Sequence, residues 1–205
     1  MDRLLLLAAL VFLYASGCLQ PAPKSPVQSQ PSLHPLAEAV DAIEKLDALR
    51  STRAQTFIGD TPVTPETFAQ VCKPVRERAM SIGKEHGWIV QQIAIKYRNP
   101  AHKPDPEALG YFPLFEQEPT LHNLTIWTTY NDQPGLRYFR RITVEKTCLA
   151  CHGAKEQRPE FIQKAYPDDR AYNFKEGDLR GLYSVFIPTD SIPATVAPLL
   201  SRREP

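Results

Sequence analysis

Leu121-His122-Asn123-Leu124-Thr125-Ile126-Trp127-Thr128-Thr129-Tyr130 and Leu136 to Val144 (LRYFRRITV) are two runs rich in β-branched and aromatic residues. Asn131-Asp132-Gln133-Pro134-Gly135 separates them. Such runs around a cluster of turn formers predict an antiparallel hairpin. Upstream, Trp88 to Arg98 (WIVQQIAIKYR) alternates loosely and predicts a strand, and downstream Asp178 to Ile187 predicts another. Further out the period changes. Apolar residues at Leu36, Val40, Ile43, Leu46 and Leu49 predict a helix over 36–56. Thr64-Pro65-Glu66 is a helix start, with a capping Thr, Pro in the first turn and an acid beside it. That helix would carry Phe68, Val71, Cys72, Val75 and Met80 towards Gly83, with Pro74 inside it, placed to kink it and free a carbonyl near Cys72. Shorter helices are predicted over 106–117, 158–166 and 192–200. Helices at the N-terminal end followed by antiparallel strands make an α+β domain.

Directly after the hairpin comes Cys148-Leu149-Ala150-Cys151-His152. A C-x-x-C-H run is an attachment site for c-type haem. Two thiols three positions apart can each add to one vinyl group on the same porphyrin edge. The histidine after the second thiol then supplies the proximal nitrogen to iron. The pair could instead be a redox dithiol, a structural disulfide or half of a zinc site, with Cys72 as a further sulfur. A second C-x-x-C or H-x-x-x-H pair is missing, and no βαβ pattern surrounds the motif as a thioredoxin-like site would require. The α+β pattern also differs from the all-helical one of small soluble cytochromes c.

The N-terminal stretch points to export. Met1-Asp2-Arg3 is a weakly basic start, and Leu4 to Tyr14 is an apolar run. That run is shorter than the roughly 20 residues of a membrane span. Ala15-Ser16-Gly17-Cys18 then resembles a bacterial lipobox, with Ala where Leu is preferred. Residues 1–17 are thus expected to be a lipoprotein-type signal peptide and Cys18 a lipidated N-terminus, which several acyl chains would anchor stably to a membrane. Residues 18–35, rich in Pro, Ser and Gln, read as a tether. Residues 36–200 are expected to form a single domain of ordinary size. Export and covalent haem agree, because bacteria attach haem c on the outer side of the cytoplasmic membrane. The expected location is therefore the periplasmic side, held by lipid. The net charge of +1 argues against nucleic acid as a partner. Of four cysteines, setting aside Cys18, Cys148 and Cys151 leaves Cys72 without a disulfide partner, so it is either a buried inert thiol or bound to something.

Several motifs together resemble a known family. They are Val71-Cys72-Lys73, Gly87-Trp88, Arg98-Asn99-Pro100-Ala101-His102-Lys103-Pro104-Asp105, Cys148-Leu149-Ala150-Cys151-His152-Gly153, Tyr166-Pro167-Asp168-Asp169 and Gly177-Asp178-Leu179-Arg180-Gly181. In this order they are similar to the Tll-type single-haem c domain family, over about 36–187. The resemblance implies a PAS-like antiparallel sheet with one covalent haem. It also implies axial ligation of the iron by His152 and by a distant cysteine, which maps onto Cys72. The family occurs alone and fused to signalling modules, so the resemblance implies redox or gas sensing through an unknown partner protein. His86, just before Gly87, departs from the family pattern.

Besides Cys72, the candidates for the sixth ligand are Met80, His86, His102 and His122. A thiolate favours ferric iron and should depress the reduction potential relative to His/Met ligation. It would leave more easily on reduction and admit CO or NO, a diatomic gas being the ligand a sensor would take. Arg98, Asn99, Arg137, Arg140 and Arg141 could pair with haem propionates, or simply line a solvated strand face. Asp168, Asp169 and Asp178 are expected to cap turns. The alternative function is electron transfer between periplasmic partners. An enzyme is not expected, since two protein ligands leave no open coordination position.

Overall fold

The computed structural model describes residues 34–58 and 62–191 of the 205-residue chain. The signal peptide, Cys18, most of the tether and the 192–200 helix expected from the sequence lie outside the described residues. Two long helices come first, α1 (His34–Phe57) and α2 (Pro65–His86), followed by β1 (Ile89–Ile93), α3 (Pro106–Gln117), β2 (Asn123–Tyr130) and β3 (Gln133–Thr143). Two short helices, α4 (Leu149–His152) and α5 (Glu160–Ala165), precede the last strand β4 (Leu179–Pro188). The strands form one antiparallel sheet in the order β1-β4-β3-β2. The expected α+β architecture, with N-terminal helices against an antiparallel sheet, is what is found.

Helices cover both faces of the sheet. Leu136, Tyr138 and Ile142 of β3 and Tyr183, Val185 and Ile187 of β4 point to one face and pack on Ala39, Ile43 and Leu46 of α1 and Val75 and Ile82 of α2. On the other face Phe139 and Leu182 meet Ala108, Phe112 and Phe115 of α3. This is why β3 and β4 read as nearly continuous buried runs, whereas edge strand β2 alternates. Because the side-chain period is two, neighbouring arginines of β3 go to opposite faces. Arg140 pairs with Glu44 and Asp47 of α1. Arg137 pairs with Asp105 and Glu107 at the start of α3.

Three boundaries differ from the sequence expectation, each for a local reason. The hairpin turn is the two-residue Asn131-Asp132, both left-handed at φ 51° and 62°, a type I′ arrangement that matches strand twist. Pro134 is therefore in β3, opposite Thr129 and beyond the last β3–β4 pair, Gly135 with Pro188, so its missing N–H breaks no inner ladder. The first strand stops at Ile93 because the Ala94 N–H turns away to the His102 carbonyl (2.9 Å). Finally, α2 begins and passes Pro74 as expected, with Thr64 Oγ1 accepting from Thr67 N (3.2 Å), but it continues beyond Gly83 to a left-handed Gly87 (φ 71°). The carbonyl that Pro74 cannot engage is that of Gln70, four residues before it. Arg53 Nη1 of α1 donates to it at 3.4 Å.

Gly181, on β4 beside the end of β1, has no room for a side chain. An added Cβ would collide with the Ile93 carbonyl oxygen and lie 3.0 Å from the Ala94 Cβ. Gly181→Ala should lower unfolding stability by about 1–3 kcal/mol, measured by denaturant titration.

Candidate functional site

The C-x-x-C-H run is pinned from three sides. Glu145 accepts from Arg50 Nη2 (2.8 Å) and Ser51 Oγ (2.7 Å) of α1. The Cys148 Sγ accepts from the Glu145 N–H (3.4 Å) and from Arg50 Nη1 (3.6 Å). Arg98 Nη2 donates to the Cys151 carbonyl at 2.8 Å. Behind the motif, Val144, Ala171 and Phe174 form a small core of their own, with Cys148 and Leu149 packed on it. The Phe174 ring meets the His152 ring edge-on, centroids 6.1 Å apart.

His152 Nδ1 donates to the Ala171 carbonyl at 2.8 Å. This places the proton on Nδ1 and the lone pair on Nε2. Burial pushes the imidazole well below its ordinary range, and the charges of Arg180 and then Arg98 push the same way. A neutral ring with an oriented Nδ1–H is the form in which a histidine ligates a metal.

Cys148, Cys151 and His152 all line one crevice of about 720 Å³ between α1, α2, β1 and the segment 97–102. That volume falls within the range of about 300–1,000 Å³ typical of cofactor sites. One of its walls is a stripe of α2, with Phe68, Cys72, Val75, Arg76, Ala79 and Met80 at helical spacing. The exposure of Met80 (63%) is exposure beside this crevice. Cys72 is also accessible, yet enough protein surrounds it that burial, helped by Cys151, pushes its thiol up to about 11.

Of the five sixth-ligand candidates, Cys72, Met80 and His102 line the crevice, and His86 and His122 do not. His86 instead stacks on Trp88 (4.2 Å between centroids), with Glu38 3.9 Å from its Nδ1. Among the described residues no three His, Cys, Asp or Glu side chains converge as a metal-ion site, so the zinc reading finds no donor set there.

The basic residues need correction. Arg98 and Asn99 line the crevice, as a carboxylate-binding role requires. Arg137, Arg140 and Arg141 do not. They are neither propionate partners nor a solvated face. Arg137 and Arg140 are held by acids of α3 and α1, and Arg141 by the Phe115, Leu121 and Glu118 carbonyls. Sequence reasoning missed Arg50, Arg76 and Arg180, which also line the crevice. Arg180 makes a hydrogen bond to the Lys96 carbonyl (3.1 Å) and lies over the Phe174 ring, with no carboxylate in ion-pair contact among the described residues. Burial lowers it to about 10, and Arg98 adds to that. A half-buried cation lacking an acid partner favours the approach of an anion. Its signal was the basic residue at the head of the last strand, in Gly177-Asp178-Leu179-Arg180-Gly181. Asp178 caps a turn as expected, accepting from Lys175 N (2.7 Å). Asp169 accepts from Ala171 N (2.8 Å) and also binds Arg98 and Arg158.

These residues fit a c-type haem. Two thiols three apart line the crevice with a neutral imidazole beside them, a largely apolar stripe of α2 adds a third thiol, and arginines are available for two carboxylates.

A family model described as Tll0287-like (Tll0287) matches residues 28–188. The chain belongs to the Tll0287-like family. A solved structure titled "Crystal structure of the cyanobacterial heme-protein Tll0287" is 46% identical, with a TM-score of 0.67, covering 77% of this chain and 96% of that one. No curated protein matches. The likeness to the Tll0287 structure extends over the helices and the four-stranded sheet that frame the crevice.

Proposed function

We propose that this Tll0287-like protein is an exported, lipid-tethered monohaem c protein of the periplasmic side, acting in redox or gas sensing. Cys148 and Cys151 would form the thioethers, His152 and Cys72 would hold the iron, and Cys18 would carry the lipid. The observation that carries this is the meeting of Cys72 with Cys148, Cys151 and His152 on one crevice. The similarity to a protein titled a heme-protein supports it. When bound, the haem supplies an iron that changes redox state and takes up diatomic gases.

The chain's own residues prepare that site. The Ala171 carbonyl fixes the His152 tautomer, and Arg98 ties the Cys151 backbone. Arg98 and Arg180 offer the guanidinium forks that carboxylates prefer. Cys72 sits between the Gln70 carbonyl, which a side chain from α1 satisfies, and Pro74, which interrupts the backbone ladder. A helix segment with such a break can shift at lower cost than an intact one, which suits a thiol that has to leave. A sensor needs that movement, with the partner protein reading the displaced helix.

The test is spectroscopic, on protein co-expressed with the cytochrome c maturation machinery. The wild type should show a ferric thiolate signature, and after reduction it should bind CO. Cys72→Ala should lose that signature and raise the reduction potential, while Met80→Ala and His102→Ala keep both as in the wild type. A reduced protein that stays six-coordinate and CO-free would overturn sensing and favour electron transfer between periplasmic partners. Loss of the thiolate signature in Met80→Ala or His102→Ala but not in Cys72→Ala would overturn the ligand assignment.

A further inference from the structure

A second cavity, of about 380 Å³, adjoins the crevice. It is lined by Tyr97, Pro100, Lys155, Arg158, Pro167, Asp168, Asp169, Arg170 and Tyr172, and Tyr97 belongs to both cavities. Two of its lining residues, Arg158 and Asp169, form a triad with Arg98, which lines the crevice instead. Asp169, with a fully buried side chain, receives Arg158 Nη1 at 2.7 Å and Arg98 Nε at 3.3 Å on the same oxygen, Oδ2. Its other oxygen accepts from Ala171 N. Arg158 is itself only 8% exposed. Two buried guanidinium groups therefore share one carboxylate, and a positive charge is left over.

The rim adds to that charge. Lys155 lies 5.2 Å from the Tyr172 ring centroid, beside Arg158 at 4.7 Å, and Arg170 lies 5.0 Å from that of Tyr97. Among the described residues, neither the Lys155 ammonium nor the Arg170 guanidinium makes a hydrogen bond or ion pair with an acid. Asp168 is exposed at the edge. The cations already occupy the tyrosine faces, so the space they enclose suits a compact oxygen-bearing anion better than an aromatic ring. Guanidinium groups match the geometry of carboxylate and phosphate.

We propose that this cavity is an effector site for a compact oxyanion, a phosphate or a small carboxylate, that acts on the haem site through Asp169 and Arg98. Resting on the reading that His152 holds the haem iron, the route is short. An anion on Arg158 releases part of Asp169 to Arg98, and Arg98 donates to the carbonyl of Cys151 (2.8 Å), the residue before His152. Negative charge brought to this side stabilises the more positive, oxidised iron, so the reduction potential should fall.

The experiment uses the haem-loaded protein, its haem content fixed by pyridine haemochrome, at constant ionic strength with chloride as the balancing salt. Inorganic phosphate and acetate are titrated separately while arginine side-chain NMR signals are followed. That readout needs no haem, so failure of the haem assignment and failure of the anion site are distinguishable. Saturable binding of phosphate is expected if the effector is a phosphate, and of acetate if it is a carboxylate. The doubly substituted Lys155→Gln/Arg170→Gln protein, changed only at exposed positions, should bind at least tenfold more weakly. Saturation should lower the midpoint potential of the wild type, and much less that of the double variant. No saturable binding by either anion, binding indifferent to the double substitution, or binding that leaves the potential unmoved would each overturn the proposal.

Discussion

Arg137→Met should lower the free energy of unfolding by roughly 3 kcal/mol, read from the denaturant midpoint at an unchanged slope. Arg137 is fully buried in the middle of β3, an unusual place for a charge. Every part of its fork is engaged. Nε donates to Ser184 Oγ (3.0 Å), Nη1 to Asp105 and Glu107, and Nη2 to Asp105 at 2.5 Å. The Tyr130 and Phe139 ring centroids lie 4.5 and 5.0 Å from the guanidinium carbon. Stripping one partner from a buried pair costs about 3–5 kcal/mol. The low end applies because the Asp105 and Glu107 side chains keep 29% and 35% exposure. The cost comes from stranded carboxylates, so Arg137→Met/Asp105→Asn/Glu107→Gln should recover much of it. Asn at 105 still caps α3, where Asp105 Oδ1 accepts from Ala108 N (3.0 Å). A single variant as stable as the wild type would show that the ion pair contributes nothing.

The same cluster has a pH signature. Burial alone would raise the Asp105 carboxyl, but the hydrogen bonds from Arg137 and the Ala108 N–H outweigh it and lower its pKa. A carboxyl with a folded pKa below its unfolded value contributes stability that is present above the ordinary carboxylate range. That contribution is lost as pH falls through the folded pKa. Acid titration of stability should therefore be flatter in Arg137→Met than in the wild type.

Much of the frame was legible because period and punctuation agree in it. Strand-forming residues around turn formers gave the hairpin, Thr64-Pro65 gave the start of α2, and Pro106 to Gln117 matches α3. What misled was the chemistry of particular residues read without their neighbours. Pro134-Gly135 looked like turn residues, and the turn is Asn131-Asp132 because those two accept positive φ. Arg137, Arg140 and Arg141 read as propionate partners or a solvated strand face. A two-residue period sends them alternately to acids of α1 and to α3, and helices cover both faces, which no local pattern in β3 announces. At the site, the sequence singled out Cys148, Cys151, His152 and Cys72, which the fold brings to one crevice. Their partners Arg50 and the Ala171 carbonyl were not singled out, because they come from distant parts of the chain and lie in none of the motifs. His86 shows the converse, a residue suspicious in sequence that stacking on Trp88 explains.

Replacing both Cys148 and Cys151 with Ala should abolish extraction-resistant haem, a complete loss rather than a graded one. The geometry argues for two bonds rather than one. Cys148 ends a single 3-10 turn and Cys151 lies in the helical turn that follows, so both thiols come to one wall of the crevice. The Glu145 N–H and Arg50 hold the first sulfur, and Arg98 holds the backbone of the second. Each single Cys→Ala variant should keep one thioether and show a displaced haemochrome band. His152→Ala separates attachment from ligation. It leaves both thiols in place, so haem should survive acid–acetone extraction while the six-coordinate spectrum is lost. The Ala171 carbonyl then loses the Nδ1–H donor that it now receives at 2.8 Å, a cost in local stability of order 1 kcal/mol. Extraction-resistant haem in the double cysteine variant would break the assignment of the motif. A wild type that keeps no haem would return the two thiols to the redox and zinc chemistries that a C-x-x-C pair also serves, and metal analysis would then decide between them.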